Sequence, residues 1–168
     1  MNIFWIEPSL MQCATSMCDQ HVVKMTLEYA QMLSNAHHTH PSKYRKEVYL
    51  PTHVTHPCSR WVYDSVKNYQ ALYALWVYVA AEYSLRYGRI HRSWADLGEL
   101  LRHCPLDRGN LTVPPTVTHT PIERTTWGQV VTAYRNYYIK KVAADPRTFV
   151  WKKGRPAPEW LTAGLKLL

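Results

Sequence analysis

A stripe of polar side chains runs through residues 19–38, a segment that is otherwise rich in apolar residues. At spacings of three, four, three and four, its members are His21, Lys24, Glu28, Gln31 and Asn35. On a helix these side chains fall within about a quarter turn of one another. A carboxylate, an ammonium and an imidazole held side by side can transfer protons or form a covalent bond through the amine. We therefore predict catalytic roles for Glu28, His21 and Lys24, and substrate contacts for Gln31 and Asn35.

The same stripe also fits a purely structural role. Lys24 and Glu28 are four residues apart, and a buried network of ion pairs would satisfy them without any chemistry. The charge of the chain favours the functional role, because 20 Lys and Arg residues against 12 Asp and Glu give a formal net charge of +8. Such a chain suits a polyanion, and DNA is the partner we predict. No long apolar run or basic amphipathic helix stands out, so we predict no membrane contact.

The cysteines and histidines predict neither a disulfide framework nor a metal site. Four scattered cysteines and the lack of a secretory leader indicate free thiols in a reducing compartment, so we predict a cytoplasmic location, the host cytoplasm if a phage encodes the protein. His53, His56 and Cys58 lie close together, but their spacing matches none of the usual paired zinc frameworks. We therefore predict no metal and no cofactor.

Basic and aromatic residues also cluster at 56–61, 86–92, 134–141 and 151–155, a combination suited to phosphate contacts and base stacking. Each cluster taken alone also fits the ordinary surface of a basic protein. Capping of a helix by Ser59 and packing of Trp61 explain the first cluster equally well. The substrate-binding residues that we predict from these clusters are His56, Arg60, Trp61, Arg86, His91, Arg135, Lys153 and Arg155.

The elements that position these residues are predicted to be helices. Apolar periodicity and end signals, with Asp19 as an N-cap and Gly88 as a stop, place them at about 19–38, 59–87, 93–103 and 126–143. The second is long enough to contain a break. Residues 3–6 predict a short extended segment in the core, the prolines from 105 to 121 predict a surface loop, and residues 144–168 form a basic and aromatic tail. We predict a mostly α, compact single-domain helical bundle over residues 1–168.

The triplet Asp19-Gln20-His21, followed seven residues after His21 by Glu28, resembles the catalytic helix of the pyrimidine dimer DNA glycosylases of the phage endonuclease V type. His56-Pro57, and Glu82 ahead of Arg86-Tyr87-Gly88, look like a helix of bacterial relatives of that enzyme, and residues 151–160 are similar in character to its DNA-contacting C-terminus. The whole chain also looks like small phage proteins. The resemblance implies an all-α fold and a mechanism in which an N-terminal amine attacks C1′ of a nucleotide, with Glu28 as the catalytic carboxylate.

The sequence departs from that family at two places. Leu27 and Gln31 stand where the family has arginines, and Lys24 supplies a charge one turn earlier. Asn2 ordinarily blocks the removal of Met1, whereas the family presents a small residue at its terminus. Lys24 is the alternative amine, since a desolvated lysine can lose its proton and form a Schiff base.

The sequence is compatible with three functions. The first is an enzyme that acts at a nucleobase or its N-glycosidic bond in DNA, like a glycosylase with abasic-site lyase activity. The second is a phage enzyme that modifies DNA bases on the same scaffold, which the missing arginines favour. The third is a non-catalytic nucleic-acid-binding protein whose polar stripe is structural.

Overall fold

The computed structural model of the chain describes residues 1–117 and 125–167. These residues form α-helices and no strand, which confirms the predicted mostly α class. No helix among them is both long and apolar enough to cross a membrane. In chain order the helices are α1 (Leu10–Ser16), α2 (Asp19–Thr39), α3 (Pro57–Tyr63), α4 (Val66–Tyr87), α5 (Arg92–Leu101), α6 (Trp127–Ala144) and α7 (Glu159–Leu165).

The two longest helices, α2 and α4, pack side by side in opposite directions. Trp76 in the middle of α4 donates a hydrogen bond from Nε1 to the carbonyl of Thr26 at 2.8 Å. Tyr87 at the end of α4 donates to the carbonyl of Asp19 at the start of α2 at 3.2 Å. Helices α3 and α5 also contact α2, and α1 packs against α4. Helix α2 therefore has protein on several sides, which explains its wide apolar circumference.

The segment at residues 3–6 lies inside the core, as predicted. Ile3, Phe4, Trp5 and Ile6 are all buried, so neither face of this segment meets solvent. A buried backbone N–H needs a partner, and the amide of Phe4 finds one in the hydroxyl of Tyr29 on α2 at 3.0 Å. The segment thereby brings the start of the chain against the middle of α2.

The predicted helix over residues 59–87 is two helices, α3 and α4. Ser65 between them is extended, and its hydroxyl accepts a hydrogen bond from the amide of Lys67 at 3.2 Å, so it begins a new helix. The predicted caps at two other helix starts are wrong. His56, not Ser59, caps α3 through Nδ1, and Asp19 is the first residue of α2 rather than its N-cap. Gly88 ends α4 in the left-handed conformation at φ 65°, as predicted.

Sequence periodicity missed α1 and α7, which have seven residues each and are too short to show a repeat. The proline-rich passage also differs from the predicted surface loop. Pro114 and Pro115 are buried, and the carbonyl of Pro115 accepts a hydrogen bond from the hydroxyl of Tyr134 at 3.1 Å. Part of this passage therefore covers the core. Pro121 lies outside the described residues.

Candidate functional site

Glu28 lies at the edge of the core between two amines. Its Oε1 is 3.4 Å from the ammonium of Lys24, and its Oε2 is 4.0 Å from the amino group of Met1. The Glu28 side chain is 13% exposed, while that of Lys24 is 67% exposed and that of Met1 only 4%. The Glu28 side chain is therefore mostly covered, with an exposed amine on one of its oxygens and a buried residue on the other.

The buried N-terminal segment and α3 hold Met1 in this position. The Met1 sulfur accepts a hydrogen bond from the hydroxyl of Ser59 at 3.6 Å. The neighbouring Cys58 is fully buried, and its burial, with a smaller contribution from Glu28, raises the pKa of the thiol to about 12. Because the thiolate is the nucleophilic form, Cys58 does not act as a nucleophile at neutral pH. The reactive groups at this place are the carboxylate and the amines.

His21 faces the interior instead of sharing the surface with Glu28. Its Nδ1 is hydrogen-bonded to the hydroxyl of Tyr138, and its ring stacks on Phe4 with centroids 4.3 Å apart. Burial, helped by the positive charge of Lys24, lowers the pKa of His21 to about 3. The imidazole is therefore neutral at physiological pH and belongs to an aromatic cluster between α2 and α6. The catalytic role predicted for His21 stays a prediction.

The rest of the predicted stripe also divides between core and surface. Asn35 is fully buried, and its amide donates to the carbonyl of Thr52 at 2.8 Å and accepts from the Thr52 amide at 3.1 Å. Gln31 is half-buried, whereas the apolar side chains of Val23 and Leu27 are 37% and 39% exposed. At 100° per residue, the exposed arc of α2 is turned by about a quarter turn from the predicted stripe.

The triplet Asp19-Gln20-His21 fastens the C-terminal tail to the start of α2. The Asp19 amide donates to the carbonyl of Val150 at 2.9 Å, and its carboxylate accepts from the amide of Lys152 at 2.7 Å. The side-chain amide of Gln20 donates to the carbonyl of Thr148. Asp19 and Gln20, which carry part of the resemblance, thus have a structural role in this chain. They bind residues 148–152 of the tail to the start of α2.

A buried set of charges joins α1, α2 and α4. The Arg86 guanidinium donates to Glu82 Oε1 at 2.7 Å, to Asp19 Oδ1 at 3.0 Å and to the carbonyls of Met17 and Thr15, each at 2.9 Å. All of its nitrogens are engaged and its side chain is 0% exposed, so a substrate phosphate has no access to it. The predicted substrate contact of Arg86 therefore has no open surface in this structure.

Arg155 of the tail completes the set by gripping the same glutamate. Its Nε and Nη2 donate to the two carboxylate oxygens of Glu82 at 2.8 and 2.9 Å. Burial alone would raise the pKa of Glu82, but the hydrogen bonds from Arg155 and Arg86 outweigh it and lower that pKa below its usual value. The bidentate geometry is typical of a strong structural pair. Arg155 is therefore bonded within the protein, although its side chain is 34% exposed.

The other predicted substrate-binding residues are spread over the molecule. Trp61 is buried and donates to the carbonyl of Thr112 at 3.3 Å, and Arg135 donates to the carbonyl of Ile6 at 2.8 Å and pairs with Glu7. His56 and His91 each cap a helix through Nδ1, at the starts of α3 and α5. Arg60 and Lys153 are exposed. The structure brings only Lys24, of the predicted residues, into ionic contact with Glu28.

The resemblance implied an N-terminal amine that acts together with Glu28, but the residue pattern alone did not place the Met1 amino group beside this carboxylate. The available signal was the apolar run at residues 3–6, since a segment buried in the core must place the residues before it close to the core as well. Arg89 lies within the predicted cluster at 86–92 but was not among the predicted substrate-binding residues.

Within residues 1–117 and 125–167, no group of three or more His, Cys, Asp or Glu side chains is arranged to hold a metal ion. Comparison with known proteins returned no match, as no protein-family model, no curated protein and no solved structure is similar to the chain. The resemblance to the pyrimidine dimer glycosylases therefore stays a prediction.

The buried charges give a prediction about stability. Replacing Arg86 with Met leaves the carboxylates of Asp19 and Glu82 buried without their main partner, so we expect a loss of about 3–5 kcal/mol in the free energy of unfolding. Arg155→Met should cost clearly less, because Arg155 is partly exposed and Arg86 still neutralises Glu82. Urea unfolding followed by circular dichroism measures both. Equal losses would contradict the central place of Arg86.

The lowered pKa of His21 gives a prediction about pH. Below pH 6.5 His21 binds a proton in the unfolded chain, whereas in the folded protein it stays neutral down to about pH 3. The unfolded state therefore binds more protons in this range, and stability is lost as the pH falls through it. One such proton changes the free energy of unfolding by up to about 1.4 kcal/mol per pH unit. We expect His21→Gln to flatten the pH dependence by this amount in urea titrations from neutral to acid pH. An unchanged slope would show that folding does not lower the pKa of His21.

Proposed function

We propose that this protein is an enzyme that acts on DNA at a nucleobase or its N-glycosidic bond, with Glu28 as the catalytic carboxylate. One observation carries the proposal: Glu28, whose side chain is 13% exposed, is held at the edge of the core between the Lys24 ammonium at 3.4 Å and the Met1 amino group at 4.0 Å. The formal net charge of +8 supports a polyanionic substrate.

This pairing of groups suits covalent amine catalysis. Glu28 accepts a proton from the neighbouring ammonium, and the free amine forms a bond to C1′ while the C1′–N bond to the base breaks. The bonding electron pair leaves with the base, which takes up a proton. The bound nitrogen then loses a proton and forms a C=N bond as the C1′–O4′ bond opens, and O4′ takes up a proton. The product is an imine between protein and sugar.

Met1 and Lys24 are the two candidate amines. The desolvation expected for Lys24 is not observed, since its side chain is 67% exposed and the ammonium stands in solvent. The Met1 side chain is 4% exposed and its sulfur is bonded to Ser59, so its amine is held in a fixed position beside Glu28. A fixed nucleophile loses less entropy on reaching the transition state. Met1 is therefore the first candidate and Lys24 the second.

A specific observation favours base modification as a second candidate function. The surface beside Lys24 and Glu28 includes the exposed apolar side chains of Val23 and Leu27. Leu27 and Gln31 occupy the positions of the arginines expected from the resemblance, so this surface lacks the extra positive charge. An apolar wall suits the ring or methyl group of a base, which is compatible with group transfer onto a modified pyrimidine at the same carboxylate.

Reductive trapping tests the covalent mechanism. The protein is incubated with sodium borohydride and an oligonucleotide that contains an abasic site, and a crosslinked species is expected because borohydride reduces the imine. Glu28→Gln should reduce the trapping rate by about 100-fold or more. Glu47→Gln, an exposed change of the same kind, is the matched control.

Two further variants assign the amine. One additional residue ahead of Met1 should abolish trapping if Met1 is the nucleophile, whereas Lys24→Gln should abolish it if Lys24 is. Peptide mapping of the crosslink identifies the bonded residue directly. The absence of any crosslink would eliminate the imine mechanism.

Mass spectrometry of nucleosides separates the two enzymatic functions. After incubation with phage DNA, a glycosylase releases free base, while a modifying enzyme leaves an altered nucleoside in the strand. Either product should depend on Glu28 and be unaffected by Glu47→Gln. If DNA is bound but stays chemically unchanged under all conditions, both enzymatic functions are ruled out and the non-catalytic binding function is left.

A further inference from the structure

The end of α4 and the C-terminal tail, which are far apart in the sequence, meet at the start of α2. The rings of Tyr83 and Tyr87 at the end of α4 are stacked, with centroids 4.8 Å apart. Arg89 donates from Nε to the Tyr83 hydroxyl at 2.9 Å, and the Lys153 ammonium lies over the Tyr87 ring, 5.7 Å from its centroid. We call these four residues, Tyr83, Tyr87, Arg89 and Lys153, the basic patch.

The tyrosines of the basic patch position cations rather than bases. Tyr83 stacks on the Tyr87 ring and the ammonium of Lys153 also lies over that ring, so little ring surface is left for a nucleobase. Arg89 is exposed and uses only Nε for its bond to Tyr83, which leaves both Nη groups without a partner among the described residues. A guanidinium with two free donors in one plane matches two oxygens of a phosphate.

The positive charge of the basic patch is not neutralised within the protein. Among residues 1–117 and 125–167, no carboxylate forms an ion pair with Arg89 or Lys153. The acidic residues close to the patch are Asp19 and Glu82, and the arginines of the buried charge set already bind their carboxylates. Two exposed cations without counterions therefore favour an anionic ligand.

Helix α2 connects the basic patch to Glu28. Tyr87 donates to the carbonyl of Asp19, so the patch lies at the first turn of α2, and Glu28 is nine residues, or roughly 13 Å, further along the helix axis. Lys24 is exposed in the interval, one turn before Glu28. Cations distributed over such a distance cannot all serve one small anion, but they match the successive phosphates of a nucleic-acid strand.

We infer that the basic patch is a phosphate-binding surface, which holds the backbone of the DNA strand whose nucleotide reaches Glu28. This inference rests on the proposed function for the identity of the ligand. Arg89 and Lys153 contact backbone phosphates, and Lys24 lies on the path from these contacts to Glu28. The contacts are independent of base sequence, because the patch presents charge and no base-reading groups.

The salt dependence of DNA binding tests this inference. Affinity for a short fluorescein-labelled oligonucleotide, as a single strand and as a duplex, is measured by fluorescence anisotropy over a range of salt concentrations. Each phosphate contact adds about 0.9 to the slope of log K against log salt for a duplex and about 0.7 for a single strand. Arg89→Gln and Lys153→Gln should each lower the slope by about this amount. Arg102→Gln removes the same charge from an exposed position and should leave the slope unchanged, because the neighbouring Leu101 contacts Tyr69 at the other end of α4 from the basic patch.

Unchanged slopes in both patch variants would overturn the inference. Displacement of the oligonucleotide by inorganic phosphate or pyrophosphate, at constant ionic strength and in the wild type only, would overturn the strand assignment in favour of a free phosphate ligand. Failure of the proposed function looks different: the patch variants would lose slope while no Glu28-dependent product forms. If Glu28-dependent product forms while the slopes stay unchanged, the phosphate-binding role of the basic patch is overturned and the proposed function is retained.

Discussion

The burial of one positive charge organises this molecule. Arg86 has a side chain that is 0% exposed. Its donors reach carbonyls in the last turn of α1 and just after it, the first residue of α2 and a carboxylate on α4 itself. A buried guanidinium is tolerated only while its partners stay in place, since an unpaired charge in the interior costs several kcal/mol. The ends of α1, α2 and α4 are therefore fixed relative to one another. Arg155 adds the C-terminal tail to the same assembly through Glu82.

Two glutamates in this bundle have different surroundings. Glu82 is bonded to two arginines and closed to solvent, so it serves stability. Glu28 lies on the same rigid frame at the rim of the core, and its ion-pair partners within residues 1–117 and 125–167 are two amines, at 3.4 and 4.0 Å. Rigid elements hold reactive groups with a precision that loops do not provide. The basic patch lies at the opposite end of the exposed part of α2, so the helix relates the proposed phosphate contacts to the proposed chemistry by a fixed length.

The sequence predicted the class of fold and the main helices, because long segments such as α2 show their period directly. It did not predict how the stripe on α2 divides between core and surface. His21 and Asn35 are buried because they find partners in Tyr138 and Thr52, which lie 117 and 17 residues away, and a helical wheel contains no information on such partners. The wheel also assumes that apolar residues are buried, and Leu27 is 39% exposed. Glu28 was predicted from its spacing, whereas the position of the Met1 amine beside it depends on the path of the N-terminal segment through the core.

The central claim is that Glu28 is kept at the rim of the core for chemistry rather than for stability. The most direct measurement combines the free energy of unfolding of Glu28→Gln with its rate of product formation on DNA. We expect a loss of stability of about 1 kcal/mol or less, because the pair with the exposed Lys24 is weak, together with a loss of activity of about 100-fold or more. A loss of several kcal/mol with the remaining folded protein fully active would contradict the claim and make Glu28 a structural partner of the two amines.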